Sequence, residues 1–494
     1  MKFTRFGLFG ILLLLGAYPV LADTFILADG GKLYGQKEKD FEGPDKKPWT
    51  IIKSTFGTVS VPQSQIKKVL KAEGDKGTVY LEEILVTFIK GQVERTSDEG
   101  KTWAKVSWAV AKPSPEGTIA LSYRAPPAIN PPNGLIAPGD RVRTNKDSEV
   151  DLDVGYGVIH IAPDSEVEFR RAKSATMKVF SGTCASRLEG LPKEQQFQVE
   201  TPQGVMGVKG TTFLVRIADE ATVAVQEGQV QWASQVVKAG EFAQARQEAV
   251  KVREGLTPAD GKVFERLQRT YSVPRIETVY VPAGEFLMGH PTLAKTQQHK
   301  VRVSAYRIGT YHVRMAQYQA FLDYVNATSD HSRCHPREAE AFKSAEYATS
   351  HISAVPIPDP KTVNQDGLVS GVCWYDAFGF CAWLGGRLPT EAEWEKAVGL
   401  LTCQQGSPAG WYEDWLLDYW DPDFYAKPQA VLPDAFNGAP QKAVGSGDWR
   451  YCYRRGPCTV KYAHIREGGY PGTQRASSLT FRICFPVVAE SGGK

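Results

Sequence analysis

The chain has 494 residues, which at roughly 150 residues per domain suggests about three domains. Hydrophobic residues make up 42% and charged residues 23%, so sizeable cores are available and compositional disorder is excluded, while 46 glycines and 31 prolines favour tight turns and short strands over a helical bundle. The 58 basic against 55 acidic side chains leave a net charge of +3, too small a field to draw in nucleic acid, so a dedicated nucleic-acid binder is disfavoured.

Residues 1–22 read as a signal peptide. Lys2 and Arg5 precede an apolar stretch from Phe6 to Leu15, and Val20 and Ala22 offer the small side chains that signal peptidase needs at −3 and −1. The stretch is shorter than the roughly 18 to 20 residues that span a bilayer. Cleavage after Ala22 with no transmembrane anchor remaining is therefore the expectation, and the product is placed in the periplasm or secreted. Export permits disulfides among Cys184, Cys334, Cys373, Cys381, Cys403, Cys452, Cys458 and Cys484. No Cys-x-x-Cys pair suggests a zinc ribbon or a thioredoxin-like site.

Residues 23–75 read as a small β module. Short runs at Thr24–Leu27, Lys32–Tyr34, Trp49–Lys53 and Thr58–Pro62 surround a turn at Asp29, Gly30 and Gly31, and the alternation in Trp49, Ile51 and in Val59, Val61 suits a half-buried barrel. Residues 83–250 continue the β signal. Thr96, Asp98, Gly100, Thr102 and Trp103 resemble an Asp-box, in which the Asp ties its own turn and the Trp packs beneath. Period-two runs then follow at Ser148–Val154, Gly157–Phe169, Val199–Ile217 and Ala221–Trp232, as in an all-β sandwich or solenoid. The stretch TPQGVMGVKGTTF and the ending at Val225–Val230 resemble the FecR-type periplasmic domain, with the Pro-rich residues 108–138 as an inserted loop. That family in its best-known setting relays a signal through a membrane helix that this chain lacks, which leaves a binding or spacer module. Residues 251–275, with Thr257, Pro258 and Asp260 at a helix start, read as a linker helix.

From residue 276 to 488, Arg314–Asn326 carries a helical apolar face at Met315, Tyr318, Phe321, Leu322 and Val325. A second helix spans about Trp374–Leu384, and a third opens at Thr390, whose spacing to Glu393 is that of a capping box. GGRLPTEAEWEKA (385–397), PAGEFLMG, GSGDW and the closing TFRICFPV (480–487) resemble the formylglycine-generating enzyme, or sulfatase-modifying factor, family. The resemblance implies a C-type-lectin-like α+β fold, making the whole chain multidomain with an all-β N-terminal part.

Catalysis in that family uses two cysteines separated by four residues, which bind copper as thiolates and activate oxygen. Counting back from Phe481 and Arg482, with Arg466 matched to the family's arginine, puts Cys458 on the first position and Ala463 on the second. Alternatively YCYRRGPC puts Cys452 and Cys458 on the pair with five intervening residues, a pair for which a structural disulfide is the preferred reading. Neither register restores the family's spacing. The family's calcium segment GNVWEW is GWYEDW here, where Trp411 lacks a side-chain oxygen and Asp414 remains as an acidic ligand. His331, Cys334 and His335, with Asp330 and Glu338, are read as exposed loop residues rather than a zinc site. The expectation is an exported interaction or scaffold protein with no cofactor and no catalysis, its partner an envelope protein or glycan. The contact surface is placed in 399–470, with most of Trp411, Tyr412, Trp415, Tyr419, Trp420, Phe424 and Tyr425 expected in the core. The alternative is a copper-dependent formylglycine-generating oxidase using Cys458 and Cys452.

Overall fold

The computed structural model describes residues 23–54, 57–71, 84–106, 139–170, 176–189, 196–246, 249–289, 298–328, 367–401, 410–419 and 478–486, with Leu191, Cys334 and short strand segments at 112–113, 119–120, 135–136, 405–407, 432–433, 450–455 and 469–471. The proposed signal peptide and most of the 108–138 insertion lie outside these residues. The described chain is mostly β with few helices, none long and apolar enough to cross a membrane.

The first strands are β1 (Asp23–Leu27), β2 (Lys32–Glu42), β3 (Pro48–Ser54), β4 (Gly57–Pro62) and β5 (Ile66–Leu70). The β1–β2 turn is tied by Asp29, which accepts from the backbone N–H of Gly31 at 3.0 Å, and Gly30 takes φ +88° between them.

Residues 84–254 contribute a 17-stranded hydrogen-bonded series. Within it, β6 (Glu149–Asp153) pairs with β7 (Gly157–Ile161), and β7 with the second half of β8 (Met177–Leu188). The first half of β8 pairs instead with Glu166–Phe169, so this one strand turns a corner between two sheets. Gly182 sits at the corner with φ +78°, where a Cβ would lie 2.5 Å from the Asp164 carbonyl oxygen, so no side chain fits. Val150, Leu152, Ile159, Val179 and Val215, the last on β9 (Thr212–Ile217), face the core between the sheets. The Asp-box behaves as expected: Asp98 accepts from the Thr96 and Thr102 hydroxyls at 2.6 Å each and from the Thr102 N–H at 2.9 Å, and the Trp103 indole donates to the Gly100 carbonyl.

The opposite face of β6 presents Glu149, Asp151 and Asp153, which period-two reading assigns to solvent. It is covered instead by α1 (Pro258–Leu267) and the chain that follows. Arg266 reaches Glu149 at 3.3 Å and Asp151 at 2.9 Å, and His160 Nδ1 lies 2.7 Å from the other Asp151 oxygen. Phe264 and Leu267 pack on Val158, Ala185, Leu214 and Ala224, an outward apolar patch whose two alanines leave room for the larger helix side chains. Thr257 and Asp260 form the reciprocal cap, and Asp260 also accepts from Arg216 at 2.8 Å. Within residues 251–275, read as a linker helix, 251–254 end a strand of the β unit and α1 lies over that unit's face. The physical reason is that the outer apolar patch and the acidic row both need partners.

The strands of the small β module at 23–75 are joined by a strand from the C-terminal part. In β10 (Thr278–Val281) every residue is buried, so neither face suits water. Thr278 pairs in parallel with Val59 of β4 and Val279 with Ser60, while β10 pairs antiparallel with β11 (Tyr306–Gly309). The rest of the C-terminal part comprises α2 (Met315–Thr328), α3 (Trp374–Trp383), α4 (Glu391–Ala397), β12 (Glu413–Tyr419), β13 (Arg450–Arg455), β14 (Leu479–Phe481) and β15 (Cys484–Pro486). One eight-stranded sheet therefore runs β15-β11-β10-β4-β3-β2-β1-β5. Tyr280 packs with Phe25, Leu33, Ile52 and Val61 on one face, while Trp49 crosses to the other and packs with Val281, Tyr306, Ile308 and Trp394. Residues 84–275 are consequently an insertion between two parts of one sheet.

Candidate functional site

Helix α4 organises the C-terminal interior. Thr390 accepts from the Glu393 N–H at 3.2 Å and Glu393 accepts from the Thr390 N–H at 2.9 Å, the reciprocal cap that the sequence spacing predicts. Arg387 then grips Glu393 through both terminal nitrogens, at 2.6 and 2.5 Å. Burial raises the Glu393 carboxyl, but Arg387 and the cap bonds reverse this and hold it below the ordinary range. Glu395 accepts from the Gly289 N–H at 2.7 Å, and Lys396 donates to the Pro282 and Gly284 carbonyls at 2.7 and 3.0 Å. The PAGEFLMG segment is thereby pinned to α4, and partial burial brings the Lys396 ammonium down to about 8.

Beyond α4 lies a closed polar network. Asp414, on β12, accepts from the Trp394 indole at 2.9 Å and from Arg482 Nε at 3.2 Å, and His312 Nε2 is 3.3 Å away. Arg482, fully buried, also donates to the Thr310 carbonyl at 2.7 Å and lies 3.1 Å from His312 Nε2. Nε2 thus faces both a donor, the Arg482 guanidinium, and an acceptor, the Asp414 carboxylate, and its role in the two contacts follows the tautomer. Burial lowers the His312 pKa and the Arg482 charge lowers it further, so the ring is neutral at pH 7. Burial pushes the Asp414 carboxyl up, but its neighbours' charges and hydrogen bonds outweigh this and keep it ionised. The Oδ2 of Asp414 faces inward and is committed to Trp394 and Arg482.

The cysteines divide. Cys184, Cys334, Cys373, Cys381 and Cys484 are unbridged. Burial pushes the Cys184 thiol up to about 12 and raises Cys381 and Cys484 well above the usual range, so none of these three is a thiolate at neutral pH. Cys452 lies in β13, opposite Gly469, and β13 pairs with β12 beside β14. Its side chain and all of Cys458, Ala463 and Arg466 lie outside the described residues, as do His331, His335, Asp330 and Glu338. Of the seven aromatics singled out in 399–470, Tyr412 and Trp415 are buried, and the side chains of the others are outside the described set. Sequence reasoning missed His312, Arg482 and Trp394 as a unit. The available signal was the closing Phe-Arg, since an arginine between apolar residues at a strand end calls for a buried carboxylate.

Family models match two regions. One described as a Sulfatase-modifying factor enzyme 1-like domain matches residues 263–414, and one described as FecR protein matches 140–231. Three curated proteins are similar over part of the chain. The formylglycine-generating enzyme of Streptomyces coelicolor is 32% identical over 155 residues, covering 24% of this chain and 46% of the relative. Hercynine oxygenase of Mycolicibacterium smegmatis is 29% identical over 141 residues, covering 24% and 31%. Serine/threonine-protein kinase Pkn1 of Chlamydia trachomatis is 26% identical over 212 residues, covering 35% and 33%. The chain spans less than half the length of these relatives, and their names carry three different activities. The chain carries a FecR-type domain followed by a sulfatase-modifying-factor-type domain.

Proposed function

We propose that this is an exported interaction or scaffold protein of the bacterial envelope, in which the sulfatase-modifying-factor-type domain, read as a lectin-like α+β scaffold, serves recognition rather than oxidation. The observation that carries the reading is the cysteine spacing. Cys458 is followed by Ala463 in one register, and Cys452 and Cys458 are separated by five residues in the other, so the two-thiolate arrangement that favours Cu(I) is not reproduced. The inward commitment of Asp414 supports it, since the acidic position of GWYEDW serves packing. Partners are sought among envelope proteins and glycans, and residues 1–22 supply the export signal.

The second reading, a copper-dependent formylglycine-generating oxidase, is favoured by the position of Cys452 on β13 next to β12 and by the 32% identity to a formylglycine-generating enzyme. Incubating the purified protein with copper and a cysteine-containing sulfatase peptide separates the two. No aldehyde by mass spectrometry supports the scaffold reading; turnover lost in Cys458→Ser establishes the oxidase.

A further inference from the structure

Strand β5 (Ile66–Leu70) ends the eight-stranded sheet, and β1 is its one neighbour among the described strands. Its other edge therefore offers main-chain N–H and C=O groups to an incoming strand. On one face Val69 stands beside Phe25, and Phe25 beside Leu33 of β2, so an apolar row runs from the core out to this edge. The row ends uncovered. Val69 is 38% and Leu70 40% exposed, the one adjacent pair of exposed large apolar side chains among the described residues. On the other face Lys68 stands beside Ile26, and the register slips between Ile26 and Leu27, which leaves Lys67 as the extra residue of a bulge. Both lysines are exposed and, among the described residues, form no ion pair, whereas Lys71 is held by Asp23 at 2.5 Å.

We propose that β5 takes up an extended segment of a partner protein as a ninth strand, one in which acidic and apolar residues alternate. The main chain of that segment pairs with the open edge, its apolar side chains cover Val69, and its carboxylates meet Lys67 and Lys68. A second copy of this chain is the wrong occupant, because full antiparallel overlap of two β5 strands sets Lys68 against its own counterpart. The lysines that deter self-association thus select an acidic partner. The edge belongs to the first strands and takes its partner whether or not the last domain is catalytic.

Fluorescence anisotropy of the full chain with a labelled peptide of alternating glutamate and valine tests this, with amide hydrogen exchange as the second readout. The expected result is saturable binding that weakens about tenfold or more in the Lys67→Glu/Lys68→Glu variant and returns in that variant when lysine replaces the peptide's glutamates. Both positions are exposed, so the variant keeps the thermal midpoint of the parent. Exchange across 66–70 slows when the peptide is bound, and polyglutamate, which brings no apolar side chain, binds more weakly. The proposal is overturned by no saturable binding, by equal affinity in the double variant, by equal binding of polyglutamate, or by binding that leaves exchange across 66–70 unchanged, which marks a charge contact alone.

Discussion

The hydroxyl of Tyr280 donates to the carboxylate of Asp29 at 2.8 Å, across 251 residues of chain. This bond, the β4–β10 pairing and the crossing of Trp49 into the C-terminal core make the first strands part of the last domain. Trp49→Ala is expected to cost about 3 to 5 kcal/mol, as large-to-small changes in a core do. Tyr280→Phe, which leaves Asp29 short of one donor, costs on the order of 1 kcal/mol. Urea unfolding followed by a C-terminal probe checks both: if Trp49→Ala leaves that transition in place, the strands are an independent module after all.

Asp153 couples the β unit to the chain that leads into β10. It accepts from the Gly155 and Val273 N–H groups at 2.7 and 2.6 Å, and burial raises its carboxyl to about 6. The folded state thus holds the proton more tightly than the unfolded chain, whose carboxyl titrates near the ordinary 3.8. The stabilising contribution is full below about pH 4 and lost as pH rises through about 6, by at most about 3 kcal/mol. In Asp153→Asn that loss is absent, so urea midpoints compared between pH 4 and 7 show a smaller decline than the parent. Parallel declines in the two proteins refute the assignment.

Asp414→Asn removes the counter-charge of a fully buried guanidinium, and an uncompensated buried ion costs about 3 to 5 kcal/mol. Adding Arg482→Met removes the stranded charge and recovers part of the loss. A double-mutant cycle by chemical denaturation measures this coupling; strictly additive losses contradict a paired network.

Arg266→Ala cuts both ion pairs that fasten α1 to β6 while leaving the Phe264 and Leu267 contacts. Amide hydrogen exchange across 258–267 is expected to quicken without a change in the strands beneath it. Unaltered exchange in the helix indicates that the apolar packing and the Arg216–Asp260 pair hold it without Arg266.

Local chemistry was legible in the sequence. The face of α2 and the Thr390–Glu393 cap depend on residues three and four apart, so pattern alone locates them. The Asp98 turn is equally local. Sheet continuity was not legible, because the Thr278 hydroxyl finds its acceptor at Thr58, 220 residues away. The one available hint was TVYV, a strand with no polar face. The cover over the acidic row of β6 was not legible for a related reason: alternation reports that two faces differ, and cannot tell water from a covering helix bearing arginine. At the candidate site, the orientation of Asp414 was not legible, because it is decided by Trp394 and Arg482, which lie away from it in sequence.

The insertion of residues 84–275 between β4–β5 and β10 fixes an order of events during synthesis. Strands 23–71 leave the ribosome some two hundred residues ahead of the partner that will close their sheet. Until then β4 carries an open hydrogen-bonding edge and Trp49 has no core to enter, the kind of nascent surface on which chaperones act and from which aggregation begins. Assembly of the last domain thus waits on the first strands remaining unattached while the whole β unit forms between them.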